Sequence, residues 1–207
     1  MIIEFAGLPR SGKSSCIAVV RDYFLRSGHS VRMAGEGARS CPFSNQYRIE
    51  IACWTANQAL NSILEAKLSI RPETLILQDR GLFDALAFFN LLHLEGLISE
   101  EMLTHFVNYF ANPRWTRFVD LVILFDVSPN TAIERDLAAK LSASPGIITN
   151  IATIQNLSAA YDLIYEKYSG NQRSSGFSKV ERLDTTHDDP LETARVAIQL
   201  IKGIIQA

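Results

Sequence analysis

Gly7-Leu8-Pro9-Arg10-Ser11-Gly12-Lys13-Ser14 places two glycines, a lysine and a hydroxyl at the spacing G-x-x-x-x-G-K-S. Residues of those types at that spacing suit the holding of a polyphosphate. Glycines let the backbone close around an anion with its N–H groups pointing inward. A helix that starts where the loop ends adds unpaired N–H groups and a positive dipole end. Lys13 is then placed to reach the β- and γ-phosphates of a nucleoside triphosphate, and the Ser14 hydroxyl to sit on Mg²⁺. Gly7, Ser11, Gly12, Lys13, Ser14 and the following Ser15 form the predicted cradle for ATP. The context supports this over a plain glycine-rich turn. Ile2-Ile3-Glu4-Phe5-Ala6 reads as a buried strand, and Ser15 to Leu25 as a helix.

Other charged residues close strand-like segments. Val31 to Ala34 runs into Gly35-Glu36-Gly37-Ala38-Arg39, a loop with two glycines and two opposite charges. Leu75 to Gln78 ends in Asp79-Arg80-Gly81, and Leu121 to Phe125 ends in Asp126. Phosphoryl transfer depends on positioning and electrostatics, which such strand-end groups can supply. Each also has a simpler reading. Glu36 is a solvated loop charge, Arg39 a surface residue, Asp79 a helix N-cap, and Asp126 a structural strand end, the reading favoured for it. His29, His93, His105 and His187 are scattered and form no metal or triad pattern.

The elements that must position these residues alternate between strand and helix. Ser44 or Asn45 can cap a long helix over 46–68, which holds Trp54 and Gln58; Arg71-Pro72 breaks it. Helical segments follow at 83–94 and 99–110. After Asp126 come helices from Ser128-Pro129 to about residue 141 and from 150 to 168. Val180 to Leu183 is a last strand and 190–205 a final amphipathic helix. The order predicts an α/β fold, a three-layer α/β/α sandwich on a five-stranded parallel sheet, with a small lid at 141–149. Ligands in such folds bind at the carboxyl ends of the strands. That rule gathers the Gly7–Ser14 loop, Glu36, Asp79-Arg80 and the segment after Asp126 along one edge.

Bulk properties narrow the class. The 207 residues suit one domain spanning 1–207, and a net charge of −2 supplies no basic field for nucleic acid or an anionic membrane. Cys16, Cys41 and Cys53 form neither metal spacing nor an even set, which points to reduced thiols in the cytoplasm. The chain enters its first strand at once, which argues against a signal peptide, and no apolar run is long enough for a bilayer.

On these motifs the chain resembles the thymidylate kinase and deoxynucleoside kinase group of P-loop enzymes, from the first loop to the last helix. Arg10 matches an arginine that binds the transferring phosphoryl group in thymidylate kinases whose lid has no catalytic arginine; residues 141–148 indeed lack Arg and Lys. Pro9 stands where an aspartate usually precedes that arginine. Asp79-Arg80 matches the family's pair at the end of the third strand. The resemblance implies Asp79 near Mg²⁺ or its waters and Arg80 on phosphates. Glu36 falls where deoxynucleoside kinases keep the carboxylate that takes the acceptor's hydroxyl proton. Gly81 followed by Asp84, and Glu36-x-Ala38-Arg39, are closer to ribosylnicotinamide-kinase-type relatives. Trp54-Thr55-Ala56-Asn57-Gln58 resembles a stretch whose aromatic stacks on the acceptor base and whose last residue, here Gln58 in place of arginine, reads its edge. Arg135 sits where relatives carry an arginine for the donor base or its phosphates. A homodimer is implied as well.

The leading expectation is a Mg²⁺-dependent kinase moving the γ-phosphoryl of ATP to a nucleoside or nucleoside monophosphate. Lys13, Arg10, Glu36 and Arg80 would be catalytic, with Glu36, Arg39, Trp54, Gln58 and Arg80 facing the acceptor. The competing expectation is a non-kinase P-loop ATPase or nucleotide-dependent regulatory module. A polynucleotide end-kinase is a third, disfavoured by the lack of a basic stripe.

Overall fold

The computed structural model describes residues 1–69, 74–140, 151–170, 176–187 and 189–206. The expected lid at 141–149 and the break at Arg71-Pro72 lie outside the described residues. Five described strands, β1 (Ile2–Gly7), β2 (Val31–Ala34), β3 (Leu75–Asp79), β4 (Leu121–Asp126) and β5 (Val180–Asp184), form one parallel sheet in the order β2-β3-β1-β4-β5. Strand β1 is central, with Phe5 opposite Asp79 on one side and opposite Ile123 on the other. The register brings Gly7, Asp79 and Asp126 to one edge.

Alternation along β1 sorts its side chains. Ile3 and Phe5 pack with Leu77, Ile123 and Phe125 under α1 (Lys13–Arg26) and α8 (Pro190–Ile205). Ile2 and Ala6 face the opposite layer, built from α2 (Arg48–Ser69), α3 (Leu82–Leu94) and α7 (Ile151–Tyr168). Helices α4 (Glu100–Phe110), α5 (Pro113–Thr116) and α6 (Pro129–Lys140) complete the described chain. The result is the three-layer α/β/α arrangement expected of a P-loop fold.

Local chemistry sets most element ends. Asp189 caps α8 through the Leu191 N–H at 3.1 Å with Pro190 in the first turn, and Ser99 caps α4. The start of α2 differs from expectation. The Tyr47 carbonyl accepts its first helical bond, from the Ile51 N–H, and Ser44 lies in the turn before it. The buried face of α2 is also narrower than its leucines suggest. Ala52, Ala56, Ala59, Leu60, Ile63 and Ala66 are buried while Leu64 is exposed, so the helix lies close to its neighbours through small side chains. No helix of the described residues is long and apolar enough to cross a membrane.

Candidate active site

A cavity of about 800 Å³ opens at the carboxyl edge of the sheet. One wall is Pro9 to Ser15, the end of the loop after β1 and the start of α1. Gly7 has φ 136°, and a Cβ there would stand 2.3 Å from the Phe125 carbonyl oxygen, so the loop leaves β1 against β4 through a position only glycine fills. Gly12 at φ 92° precedes α1, which has no side-chain cap and no acidic residue in its first turn. Its first N–H groups and the hydroxyls of Ser14 and Ser15 stand at the cavity wall.

Lys13 is buried and folds back on the loop. Its Nζ donates to the Gly7 and Leu8 carbonyls at 2.8 and 2.7 Å and to Ser11 Oγ at 3.0 Å. Burial lowers its pKa to about 7, helped by the charge of Arg80 and opposed by Asp84, Asp79 and Glu36. Polyphosphate charge at this wall would favour the protonated form.

Arg10, also in the loop, adopts the left-handed φ of 62°, rare for a non-glycine residue. Its guanidinium Nε donates to Asp136 on α6 at 2.9 Å. Arg135 lines the same wall, but its donors meet backbone: the Thr185 carbonyl at 2.7 Å, and the Thr186 and Arg10 carbonyls more weakly. The buried Thr185 hydroxyl lies 3.0 Å from the Ser11 carbonyl and 2.9 Å from that of Asp126. The Gly7–Ser14 loop is thus tied to the turn that follows β5 by a hydroxyl and an arginine far away in sequence.

The opposite wall carries the carboxylates. Asp79 Oδ2 stands 3.4 Å from Ser14 Oγ. A hydroxyl beside a carboxylate is a hard-oxygen set that suits Mg²⁺, which takes most of its ligands from phosphates and water. No cluster of three or more His, Cys, Asp or Glu among the described residues forms a cation site by itself. Arg80, also left-handed at φ 61°, donates through Nε to Glu36 at 2.9 Å and through Nη1 to both oxygens of Asp84 at 2.9 and 2.8 Å. Burial works against its charge, but Asp84, Tyr161 and Glu36 more than offset it, and its pKa is raised.

Asp84 and Tyr161 extend this network to the Gly7–Ser14 loop. The Gly7 N–H donates to Asp84 at 3.4 Å, and the Tyr161 hydroxyl lies 2.5 Å from Asp84 and 3.0 Å from the Gly7 carbonyl. Burial and the Asp84 charge raise the tyrosine pKa well above its ordinary value, so it stays a neutral hydroxyl. Neither Tyr161 nor its role carries a sequence signal: it is one aromatic on a helix with several.

The structure therefore brings together Arg10, Ser11, Gly12, Lys13, Ser14, Ser15, Glu36, Asp79, Arg80 and Arg135 around one cavity, where the sequence predicts them, with Gly7 behind the loop as an acceptor for Lys13. Three predicted acceptor residues do not join them. Arg39 is exposed and off the cavity wall. Trp54 is half-buried outside the wall, and its buried Nε1 has no hydrogen-bond partner among the described residues. Gln58 is covered by the short 3₁₀ turn Gly37–Ser40, where a Cβ on Gly37 would meet the Gln58 Cβ at 2.8 Å. The stripe of α2 that reaches the cavity is Arg48, Ile51, Ala52 and Thr55, and the aromatic is Phe88 of α3, with the Arg80 guanidinium 5.5 Å from its ring centre. At the far end Arg48 pairs with Glu95, which also accepts from Thr153 at 2.9 Å. Asp126 pairs with Arg182 at 2.9 Å and lies outside the wall.

Among the solved structures that share this fold are three of deoxyadenosine kinase from M. mycoides. The complex with bound dATP is 19% identical, with a TM-score of 0.66, and the match covers 100% of both chains. The complex with the products dCMP and a flexible dCDP is 17% identical, with a TM-score of 0.69 over 98% of this chain and 100% of that one. The complex with bound dCTP is 19% identical, with a TM-score of 0.62 over 100% of this chain and 99% of that one. At that identity the likeness shows the fold. No protein-family model matches the chain, and no curated protein matches it.

Proposed function

We propose that the protein is an ATP- and Mg²⁺-dependent kinase that phosphorylates a hydroxyl of a nucleoside. The observation that carries the reading is the Glu36–Arg80 pair at 2.9 Å, set across the same cavity from the Lys13 loop. A carboxylate held by an arginine beside a phosphate cradle is placed to orient a hydroxyl nucleophile and take its proton. The structural neighbours support the class, since they are a deoxyadenosine kinase with nucleotides bound.

In this scheme the acceptor oxygen bonds to the γ-phosphorus while the bond from that phosphorus to the β,γ-bridging oxygen breaks, its electron pair leaving on ADP. Glu36 receives the hydroxyl proton. The loop N–H groups, Lys13, Arg10 and Arg80 meet the charge on the transferring group. Mg²⁺, held through Ser14 and, by way of water, Asp79, would neutralise charge on the β- and γ-oxygens.

A free nucleoside fits better than the monophosphate that a thymidylate kinase uses. A monophosphate would bring a dianion to the wall where Glu36 stands. Arg39, the cation suited to clamp it, lies off that wall. Ile51, Ala52, Phe88, Leu91 and Leu92 give the acceptor end an apolar lining suited to a base.

The test is ATP consumption by purified protein with and without added acceptors: deoxynucleosides, ribonucleosides, their monophosphates and nicotinamide riboside. The proposal expects a nucleoside to raise turnover at least tenfold over the acceptor-free rate. A rate indifferent to every small acceptor would overturn it and favour an ATPase or regulatory module.

A further inference from the structure

Glu4 is a carboxylate in the middle of the central strand, 1% exposed, between Ile3 and Phe5. Alternation turns it to the α3 side of the sheet, opposite Ile3 and Phe5. Its oxygens there accept three backbone hydrogen bonds from one short stretch. Oε1 takes the N–H groups of Gly81 at 3.0 Å and Asp84 at 2.9 Å, and Oε2 takes that of Phe83 at 3.1 Å. Helix α3 has no side-chain cap of its own, so Glu4, from another element, fills its N-terminus. The fit is tight: a Cβ on Gly81 would stand 2.5 Å from the Glu4 carboxyl group. The glycine of Asp79-Arg80-Gly81 is therefore required by Glu4, not by a positive φ.

The residue before Gly81 is the left-handed Arg80, whose N–H donates to the Phe5 carbonyl at 3.0 Å. A non-glycine residue keeps that conformation only where its surroundings over-determine it. Here the backbone is fixed on one side by β1 and on the other by the Glu4 carboxylate. Arg80 then points its guanidinium at Glu36 and Asp84, and Asp79, one residue earlier, faces Ser14.

We propose that Glu4 is a positioning residue for phosphoryl transfer: by gripping the N–H groups of Gly81, Phe83 and Asp84 it sets the turn that places Arg80 on Glu36 and Asp79 at the Ser14 hydroxyl. It touches neither substrate nor metal. This inference rests on the kinase reading for the reaction it serves, and on the geometry for the residue.

The experiment compares wild type with Glu4→Gln, Gly81→Ala, Glu4→Ala and the double variant Glu4→Ala/Gly81→Ala. Each is measured for MgATP dissociation constant, kcat, acceptor KM and Tm. Glu4→Gln keeps the shape but turns an amide NH₂ toward an N–H donor. It is expected to leave MgATP affinity within twofold and lower kcat at least tenfold. Gly81→Ala is expected to lower kcat by a similar factor in the wild-type background and to add less than twofold in the Glu4→Ala background, where the atoms it strikes are gone. A purely structural role would lower Tm and leave the kcat of the folded protein unchanged. That result, or independent effects of the Glu4 and Gly81 changes, would overturn the proposal. If Glu4→Gln does not fold, Gly81→Ala decides: an unchanged kcat overturns the proposal. Rates are read as release of the γ-phosphoryl to whichever acceptor wild type uses, water included. Transfer to water alone in wild type would remove the kinase reading, and the variant ratios would still test Glu4.

Discussion

Helices α1 and α3 both start at the carboxyl edge of the sheet, each behind a glycine that supplies no side-chain cap. Their N-termini carry the same partial positive charge, yet the fold treats them oppositely. At α3 the N–H groups are filled from within by Glu4, and Asp84 adds a carboxylate to the first turn. At α1 no carboxylate stands in the first turn, and the side chains at the opening are the hydroxyls of Ser14 and Ser15. On the proposed reading the difference separates a structural terminus from a binding one: the α3 end is already filled by Glu4, the α1 end is left open to an anion, and the strand-end arginine beside α3 is placed to meet it.

That contrast is broken most severely at its cation. Lys13→Ala removes the ammonium that bridges the loop carbonyls and would meet the phosphates. Transfer is expected to fall about a thousandfold, measured as label moved from γ-labelled ATP. Glu36→Gln acts on the other wall. It leaves the α1 opening intact, so MgATP affinity should hold while kcat falls about a hundredfold.

Next comes pH, which separates the two termini by titration. Glu4's carboxyl is pushed from 4.5 to about 7, chiefly by burial, with the Asp84 charge adding and the backbone N–H bonds opposing. A pKa raised on folding means that the native state retains a proton which the unfolded chain has lost. Stability therefore falls as pH rises from 4.5 to 7, by about 3 kcal/mol in all. Lys13, lowered from 10.5 to about 7, acts in the window above it and makes stability rise with pH there. Urea unfolding between pH 5 and 7.5 should show the downward slope in wild type and a flatter one in Glu4→Gln; parallel slopes would contradict the assignment.

The smallest change makes α1 resemble α3. Ser15→Asp puts a carboxylate into the open terminus. It should weaken MgATP binding about tenfold while leaving the ligand-free protein as stable or more so, by up to about 1 kcal/mol. Calorimetric titration and a melting curve read the two effects separately.

Much of the arrangement at the α1 terminus was legible in the sequence because its geometry is local. The G-x-x-x-x-G-K-S spacing carries its own geometry, and alternating strand and helix patterns place Asp79-Arg80 and Glu36 at the same edge. The acceptor end was less legible because it depends on helix phase. In α2 an alanine-rich stripe makes the buried side hard to assign, and Arg48, Ile51 and Thr55 take the place expected for Trp54 and Gln58. Phe88 lies between buried neighbours on a helix apolar nearly all round, so nothing in α3 marks it as the aromatic that reaches the cavity. Glu4 is the opposite case. A lone carboxylate inside Ile2-Ile3-Glu4-Phe5-Ala6 is a signal in itself, since a buried charge needs partners; the partners, three backbone N–H groups 77 to 80 residues away, appear only in the fold.

The most direct test of the central claim offers one nucleoside and its own 5′-monophosphate separately, with γ-labelled ATP and Mg²⁺, to wild type and to Glu36→Gln. The account predicts label on the nucleoside with wild type, about a hundredfold less with Glu36→Gln, and little on the monophosphate with either. Label on the monophosphate at a rate indifferent to Glu36 would contradict it.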